Sequence, residues 1–291
     1  MPHPQLPDGT TLLAGCKINL GLRLTGVRDD GYHLLDSLFW PLDTPHDTLH
    51  IRPIAGAGIA VRCTTPGIDC ANNTLTRAFA AYTARNPLPF SLDVELVKGI
   101  PHGAGLGGGS SDAAALLRYL NAHAPAPLPD AELAAVALQV GADVPFFLHN
   151  TPCRVRGIGE HVQPVYLPQF AGTPLVLACP AARISTPWAY AAWDARQKRK
   201  NLSQCLTSTP GGDNDFYSDA ARWVNDLEEP VFAAWPELAA IKAELVRLGA
   251  FVALMSGSGA AVFGLFAKAP MADVGAGALR RRGVTVFTGS L

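Results

Sequence analysis

The densest chemistry in the chain is the run Pro101-His102-Gly103-Ala104-Gly105-Leu106-Gly107-Gly108-Gly109-Ser110-Ser111, which places five glycines in the seven positions 103–109. Glycine has no Cβ, so successive backbone N–H groups can turn toward one anion, and a helix beginning beside the serines adds partial positive charge. The reading is a phosphate cradle, with the Ser110 and Ser111 hydroxyls placed to serve phosphate or Mg2+; the competing reading is a flexible surface loop. A Walker A loop is excluded because no lysine follows the glycines. Gly103-x-Gly105-x-x-Gly108 satisfies the dinucleotide fingerprint in letters, but the elements ahead of it have the wrong order and no acidic residue ends a strand about 20 positions on. Protein-kinase glycine loops require a later H-R-D and D-F-G, and the chain contains neither. Far upstream, Lys17 and Asn19 are two residues apart in an alternating segment, so a strand puts both on one face.

The elements that must carry these groups can be read from periodicity. Cys16, Ile18, Leu20, Leu22 and Leu24 alternate with Lys17, Asn19, Gly21, Arg23 and Thr25, which predicts a half-buried strand over 16–25. Asp30-Gly31 marks a turn directly before Tyr32-His33. Strands are expected at 48–54, 58–63 and 90–97, the last leading into the glycine run. Asn73 caps a helix burying Leu75, Ala78, Phe79 and Tyr82. A helix over 110–121 follows the loop. Asp130 caps another, burying Leu133, Val136, Ala137 and Val140 and ending at Gly141. The second half predicts strands at 174–179, 251–255, 261–266 and 284–287, with helices at 187–198, 236–248 and 271–282. Strands and helices mix without regular alternation, so the class is α+β. No repeat of 20–50 residues is present. Gly157, Gly159, Pro164 and Pro168 punctuate a domain boundary near 155–170.

Composition narrows the classes further. The 291 residues predict about two domains at roughly 150 residues each. At 48% hydrophobic and 16% charged the chain can bury a sizeable core and is not disordered. A net charge of −1 offers no field to recruit nucleic acid or an anionic membrane. Six scattered cysteines without a CxxC pair read as reduced, mostly buried thiols. The start of the chain lacks a signal-peptide pattern, and no apolar run approaches the ~18 residues of a membrane span. The expected location is the cytoplasm. His46 and His50 fall on an expected strand, where their spacing does not suit paired metal ligation, and the basic run Arg196–Lys200 reads as a solvated helix end.

The glycine run resembles the P-x-x-x-G-L-G-S-S-A-A loop of the GHMP kinases, the superfamily of galactokinase, homoserine kinase and mevalonate kinase. Six further segments fit the same family in order: KINLGLRLTGVRDDGYHLLDSLF at 17–39, NNTLTRA at 72–78, GADVPFF at 141–147, ISTP at 184–187, NDLE at 225–228 and MSGSGAAVF at 255–263. Together they resemble the branch whose alcohol substrate carries a cytidine diphosphate group in non-mevalonate isoprenoid synthesis. Two departures are mild: Gly15-Cys16 stands where the family usually has Pro-Ala, and Tyr190 where Phe is common.

The resemblance implies two domains, 1–161 with a ribosomal-protein-S5-domain-2-like fold and 162–291 with a ferredoxin-like fold, and an active site in the cleft between them. It implies ATP as phosphoryl donor, with Mg2+ arriving on the nucleotide rather than in a protein cage. Asp143 matches the catalytic aspartate that takes the acceptor hydroxyl's proton, and Lys17 its lysine partner, which orients it and stabilises developing charge. The bland readings are a turn cap and an exposed strand lysine. Residues 101–111, Asn73 and Lys98 match ATP-binding positions. Asn19, Tyr32, His33, Thr186, Pro187 and Tyr190 match the substrate site, with the base held between two aromatic rings. Ser256–Gly259 resembles a third family motif that closes against the phosphate loop. The partner is a small molecule, not nucleic acid or membrane, and the implied assembly is a monomer or weak homodimer. Three alternatives stay open: a GHMP kinase for a sugar, mevalonate or homoserine; a non-catalytic nucleotide-binding protein; and a dinucleotide-dependent oxidoreductase.

Overall fold

The computed structural model describes residues 8–63, 65, 69–200 and 219–291, with the backbone alone at 198–200. The chain divides into two compact units that are interleaved in sequence. The first comprises residues up to Cys16, Pro45–Ile100 and Gly107–Asn150; the second comprises Lys17–Thr44, Pro101–Leu106 and Thr151–Leu291. Two long strands, β1 (Thr10–Val27) and β2 (His33–Ile54), pair with each other, and each passes from one unit into the other.

In the first unit the C-terminal half of β2 runs antiparallel to β4 (Ser91–Val97), from Thr48 opposite Val97 to Ile54 opposite Ser91. β4 in turn lies parallel to β3 (Ile59–Cys63). Four helices belong to this unit: α1 (Thr74–Arg85), α2 (Gly108–His123), α3 (Asp130–Val140) and α4 (Val144–His149). α1 packs on α2 and α3, and α4 on α2. The buried face of α1 is Leu75, Ala78, Phe79 and Tyr82, as its periodicity predicts, and Asn73 caps it in a reciprocal capping box with Thr76. α3 buries its expected residues and ends at Gly141, but its cap residue is Pro129 and not Asp130, which is the first helical residue. Sequence periodicity misses α4. It is six residues long with a proline in its first turn, too short for a 3.6-residue repeat to register.

In the second unit the N-terminal half of β2 pairs with β5 (Cys153–Gly157), and β5 with β6 (His161–Pro164). Part of the punctuated stretch near 155–170 is this hairpin. A second sheet contains β7 (Pro174–Cys179), β8 (Ala250–Met255), β9 (Val262–Phe266) and β10 (Thr285–Ser290) in the spatial order β10-β7-β9-β8, all antiparallel. The helices α5 (Thr186–Lys200), α6 (Glu228–Ala234) and α7 (Pro236–Arg247) precede β8, and α8 (Ala269–Arg281) precedes β10. That is the split β-α-β arrangement of a ferredoxin-like sheet, as expected. Its core gathers Val176, Leu238, Ile241, Leu245, Phe266 and Leu279 with Leu22 and Leu24 of β1.

β1 departs from the half-buried expectation. Every residue from Cys16 to Leu22 is buried, Lys17 and Asn19 included, so the reading of Lys17 as an exposed strand lysine does not hold. Cys16, Cys153 and Cys179 are buried free thiols and Cys63 and Cys70 partly exposed ones; Cys205 lies outside the described residues. Burial pushes the Cys153 and Cys179 thiols up to about 11 and about 12, which keeps both protonated. Among the described residues no helix is long and apolar enough to cross a membrane.

Candidate active site

Gly107 caps α2 in the left-handed region at φ 73°, and the first helical bond runs from Ser111 N–H to the Gly107 carbonyl at 2.9 Å. The N–H groups of Gly108, Gly109 and Ser110 precede that bond, so they leave the helix end as its anion-binding donors. Ser111 is buried and Ser110 half-buried, which leaves Ser110 as the hydroxyl nearer solvent. The first part of the loop is fixed by three bonds: Ala261 N–H to Ala104 O at 3.1 Å, Lys17 N–H to Leu106 O at 2.9 Å, and Ser256 Oγ to Gly105 O at 3.2 Å. A Cβ on Gly105 would lie 2.4 Å from the Ser256 carbonyl oxygen at φ +75°, so only glycine fits there. A sequence-flexible loop is thus held in one conformation, and the helix end fits the phosphates of a nucleotide.

Lys17 is 4% exposed, and its charge is satisfied by short contacts. Its Nζ donates to Asn19 Oδ1 at 2.7 Å and sits 4.6 Å from the centre of the Phe39 ring. Asn19 Nδ2 donates to Ser37 Oγ at 2.9 Å, and Ser37 Oγ to the Gly21 carbonyl at 2.5 Å. This chain orients the amide so that its oxygen faces Lys17. The Asn19 N–H donates to Ser256 Oγ at 3.3 Å, and a Cβ on Gly257 would lie 3.3 Å from Asn19 Oδ1 and 3.5 Å from Lys17 Nζ. The Ser256–Gly259 turn therefore lies against the lysine. The turn is held by the NDLE segment. Asn225 Nδ2 donates to the Met255 and Gly257 carbonyls, both at 2.8 Å, Glu228 accepts the Met255 N–H at 2.7 Å, and Asp226 accepts the Leu24 N–H at 2.8 Å. Burial raises the Asp226 and Glu228 carboxyls above their ordinary range.

Of the remaining substrate-side residues, Tyr190 stands against His33. Its Nε2 lies 2.8 Å from Asp194 Oδ1, its ring stands 4.8 Å from Tyr190 and 5.9 Å from Trp193, and its side chain is only 10% exposed. A carboxylate only accepts, so Nε2 carries a proton and donates to Asp194. Tyr32, by contrast, is 61% exposed. Thr186 and Pro187 form the exposed first turn of α5, with Thr186 Oγ1 2.8 Å from Ser258 Oγ. Arg196 pairs with Glu229 at 2.6 Å; the side chains of 198–200 lie outside the description.

In the first unit Asp143 occupies the cap position of α4, half-buried, but its carboxylate does not cap the helix. The turn containing it packs on the start of α2, since a Cβ on Gly141 would lie 4.0 Å from Ser110 Oγ. Asn73 is committed to α1: its Oδ1 accepts the Thr76 N–H at 3.0 Å and its Nδ2 donates to the Cys70 carbonyl at 3.3 Å. Lys98 is likewise engaged. Its Nζ donates to Asp47 and, at 2.9 Å, to Asp112. Sequence reasoning passes over Ser37, Asp47, Asp112, Trp193 and Asp194. Asp194 has a local signal, being four residues beyond Tyr190 on the same helix face, whereas Ser37 and Asp47 become partners only through strand pairing.

Residues 73–151 match the model of the GHMP kinase N-terminal domain and residues 216–285 that of the GHMP kinase C-terminal domain. A protein of Nitratidesulfovibrio vulgaris named 4-diphosphocytidyl-2-C-methyl-D-erythritol kinase is 48% identical over 96% of this chain and 98% of its own. A crystal structure of 4-(cytidine 5'-diphospho)-2C-methyl-D-erythritol kinase superposes with a TM-score of 0.78 at 35% identity, covering 97% of this chain and 98% of that one. The fold extends to homoserine kinase from Cytophaga hutchinsonii, with a TM-score of 0.73 at 17% identity over 100% of this chain and 97% of that one. The chain belongs to the GHMP kinases and, within them, to the family of its 4-diphosphocytidyl-2-C-methyl-D-erythritol kinase relatives. It is accordingly an ATP-dependent phosphotransferase.

Proposed function

We propose that the chain transfers the γ-phosphoryl group of ATP to the 2-hydroxyl of 4-diphosphocytidyl-2-C-methyl-D-erythritol, giving the 2-phosphate and ADP, a step of non-mevalonate isoprenoid precursor synthesis. The observation that carries the acceptor is His33. With Nε2–H given to Asp194, Nδ1 of the neutral imidazole is assigned as the acceptor for the exocyclic amine of cytosine, a role that opposes the carbonyl of uracil. Tyr190 and Trp193 hold that imidazole, and the exposed Tyr32 offers a ring face for a base, worth roughly 1–3 kcal/mol. Asn19, Thr186 and Pro187 are assigned to the same substrate.

Asp143 is assigned as the group that accepts the proton of the acceptor hydroxyl, and Lys17 as the cation that stabilises charge on the transferring group. The loop Pro101–Ser111 and the N-terminal donors of α2 hold the ATP phosphates, with Asn73 and Lys98 toward the nucleoside end. Mg2+ bound to ATP would neutralise phosphate charge, and Ser110, the less buried of the two loop serines, is assigned to meet it. A turnover panel tests the assignment: the cytidylylated alcohol, its uridine analogue, mevalonate, homoserine and galactose, each with ATP·Mg. The cytidylylated substrate should lead by a wide margin; a preference for an acceptor without a base overturns the reading.

A further inference from the structure

Asp47 of β2 is fully buried, and its carboxylate gathers one end of the glycine loop. Oδ1 accepts the N–H groups of Gly99 and Ile100, both at 2.8 Å, and Oδ2 accepts the Lys98 ammonium. The same Oδ2 lies 3.1 Å from the place a Cβ on Gly108 would take, at the start of α2 and thus at the other end of the loop. Just before it, the His46 carbonyl oxygen would meet a Gly99 Cβ at 2.2 Å, so β2 presses on the loop's origin with no room for a side chain. Lys98 then reaches across to Asp112, which is 1% exposed and one turn into α2. One cation thus ties the end of β4 to the body of α2.

The cluster is poorly explained as a device for stability. Burying three ionisable groups carries a desolvation cost that apolar packing would avoid, and Asp112 Oδ1 is buried with no hydrogen-bond partner. Its placement has a better account in nucleotide binding. The contacts span the loop from Gly99 and Ile100 to Asp112, and the first N–H groups of α2, which face an anion, lie between those points. We propose that Asp47, Lys98 and Asp112 are positioning residues for the nucleotide, a buried charge brace that holds both ends of the glycine loop so that its N–H groups stay aimed at the ATP phosphates. The inference rests on the ATP assignment of that loop and gives Lys98 a role that requires no contact with the base.

The test is direct binding, measured by calorimetry on the full chain with two probes separately: ATP·Mg without acceptor, and cytidine diphosphate without ATP. Lys98→Met and Asp112→Asn should each raise the ATP·Mg Kd roughly 10-fold, the scale of one lost charge-assisted hydrogen bond, with the cytidine diphosphate Kd within about twofold of the parent. Lys98→Arg, which keeps the cation, should restore ATP·Mg binding to within about threefold. Asp47→Asn threatens folding because two backbone donors depend on it, so the first two variants are the decisive ones. ATP·Mg affinity within about twofold of the parent in both overturns the brace, as does an equal loss for both probes. Failure of the acceptor reading looks different: the parent chain binds ATP·Mg but does not phosphorylate the cytidylylated alcohol.

Discussion

Asp143 stands at a helix cap position without capping the helix, so the ordinary structural reason for an aspartate there is not in use. If it takes the acceptor's proton, Asp143→Asn should lower kcat by about 10²–10⁴-fold while the KM for ATP stays within a few-fold, read by steady-state ADP release. Turnover near that of the parent chain sinks the assignment. Ser37 makes a complementary case. It is buried, donates to Gly21 O and accepts from Asn19, so Ser37→Ala strands an amide hydrogen beside Lys17. The loss should be about 1–3 kcal/mol of stability by urea denaturation, accompanied by a fall in kcat, because the Asn19 oxygen that holds the lysine loses its orientation. At this scale the sequence is read unevenly. Glycines, caps and the Lys17–Asn19 pair declare themselves through spacing, but Ser37 is one serine among many until β2 is laid beside β1.

Elements repeat the pattern. The four buried positions of α1 follow from local periodicity, and its cap from Asn73 alone; Asn73→Ala should cost about 1 kcal/mol by denaturant midpoint. If nucleotide affinity falls too, Asn73 serves ATP as well as the helix. The glycine loop is equally legible, and so is its intolerance: Gly105→Ala must place a Cβ 2.4 Å from the Ser256 oxygen in a left-handed conformation, and should abolish detectable turnover even where the protein still melts cooperatively. The elements that sequence reading misses share one cause. The N-terminal half of β2 and α4 lack a sustained period of 2 or 3.6, and β5 alternates over only five residues before it pairs with β2, far back in the chain.

For the whole molecule, the brace leaves a titration signature. Burial, opposed by Lys98, pushes the Asp112 carboxyl up to about 7. Its folded value exceeds its unfolded one, near 4, so its contribution is fully present below about pH 4 and is lost as pH rises through about 7. Asp112→Asn cannot titrate. Its melting temperature should therefore gain on the parent's between about pH 4 and about pH 7, and a constant offset across that interval would remove Asp112 from the titration. The molecule's near-zero net charge fits this economy: the anion-binding character lies in backbone donors and a few enclosed side chains rather than in a basic surface.

The NDLE segment carries one more consequence, in time rather than space. Leu22 bridges to Asn225, Leu24 donates to Asp226, and Asn19 bonds to Ser256, 237 residues further on. A chain leaving the ribosome exposes Lys17 long before the turn that seats it, which begins 239 residues later at Ser256 (256 − 17). Synthesis runs at about 5–20 residues per second, so the lysine waits roughly 12–48 seconds for its partners. A nascent chain stalled after residue 200 would hold Lys17, the glycine loop and Asp143 and still lack the turn that seats the lysine, which makes activity a report that translation has passed residue 259.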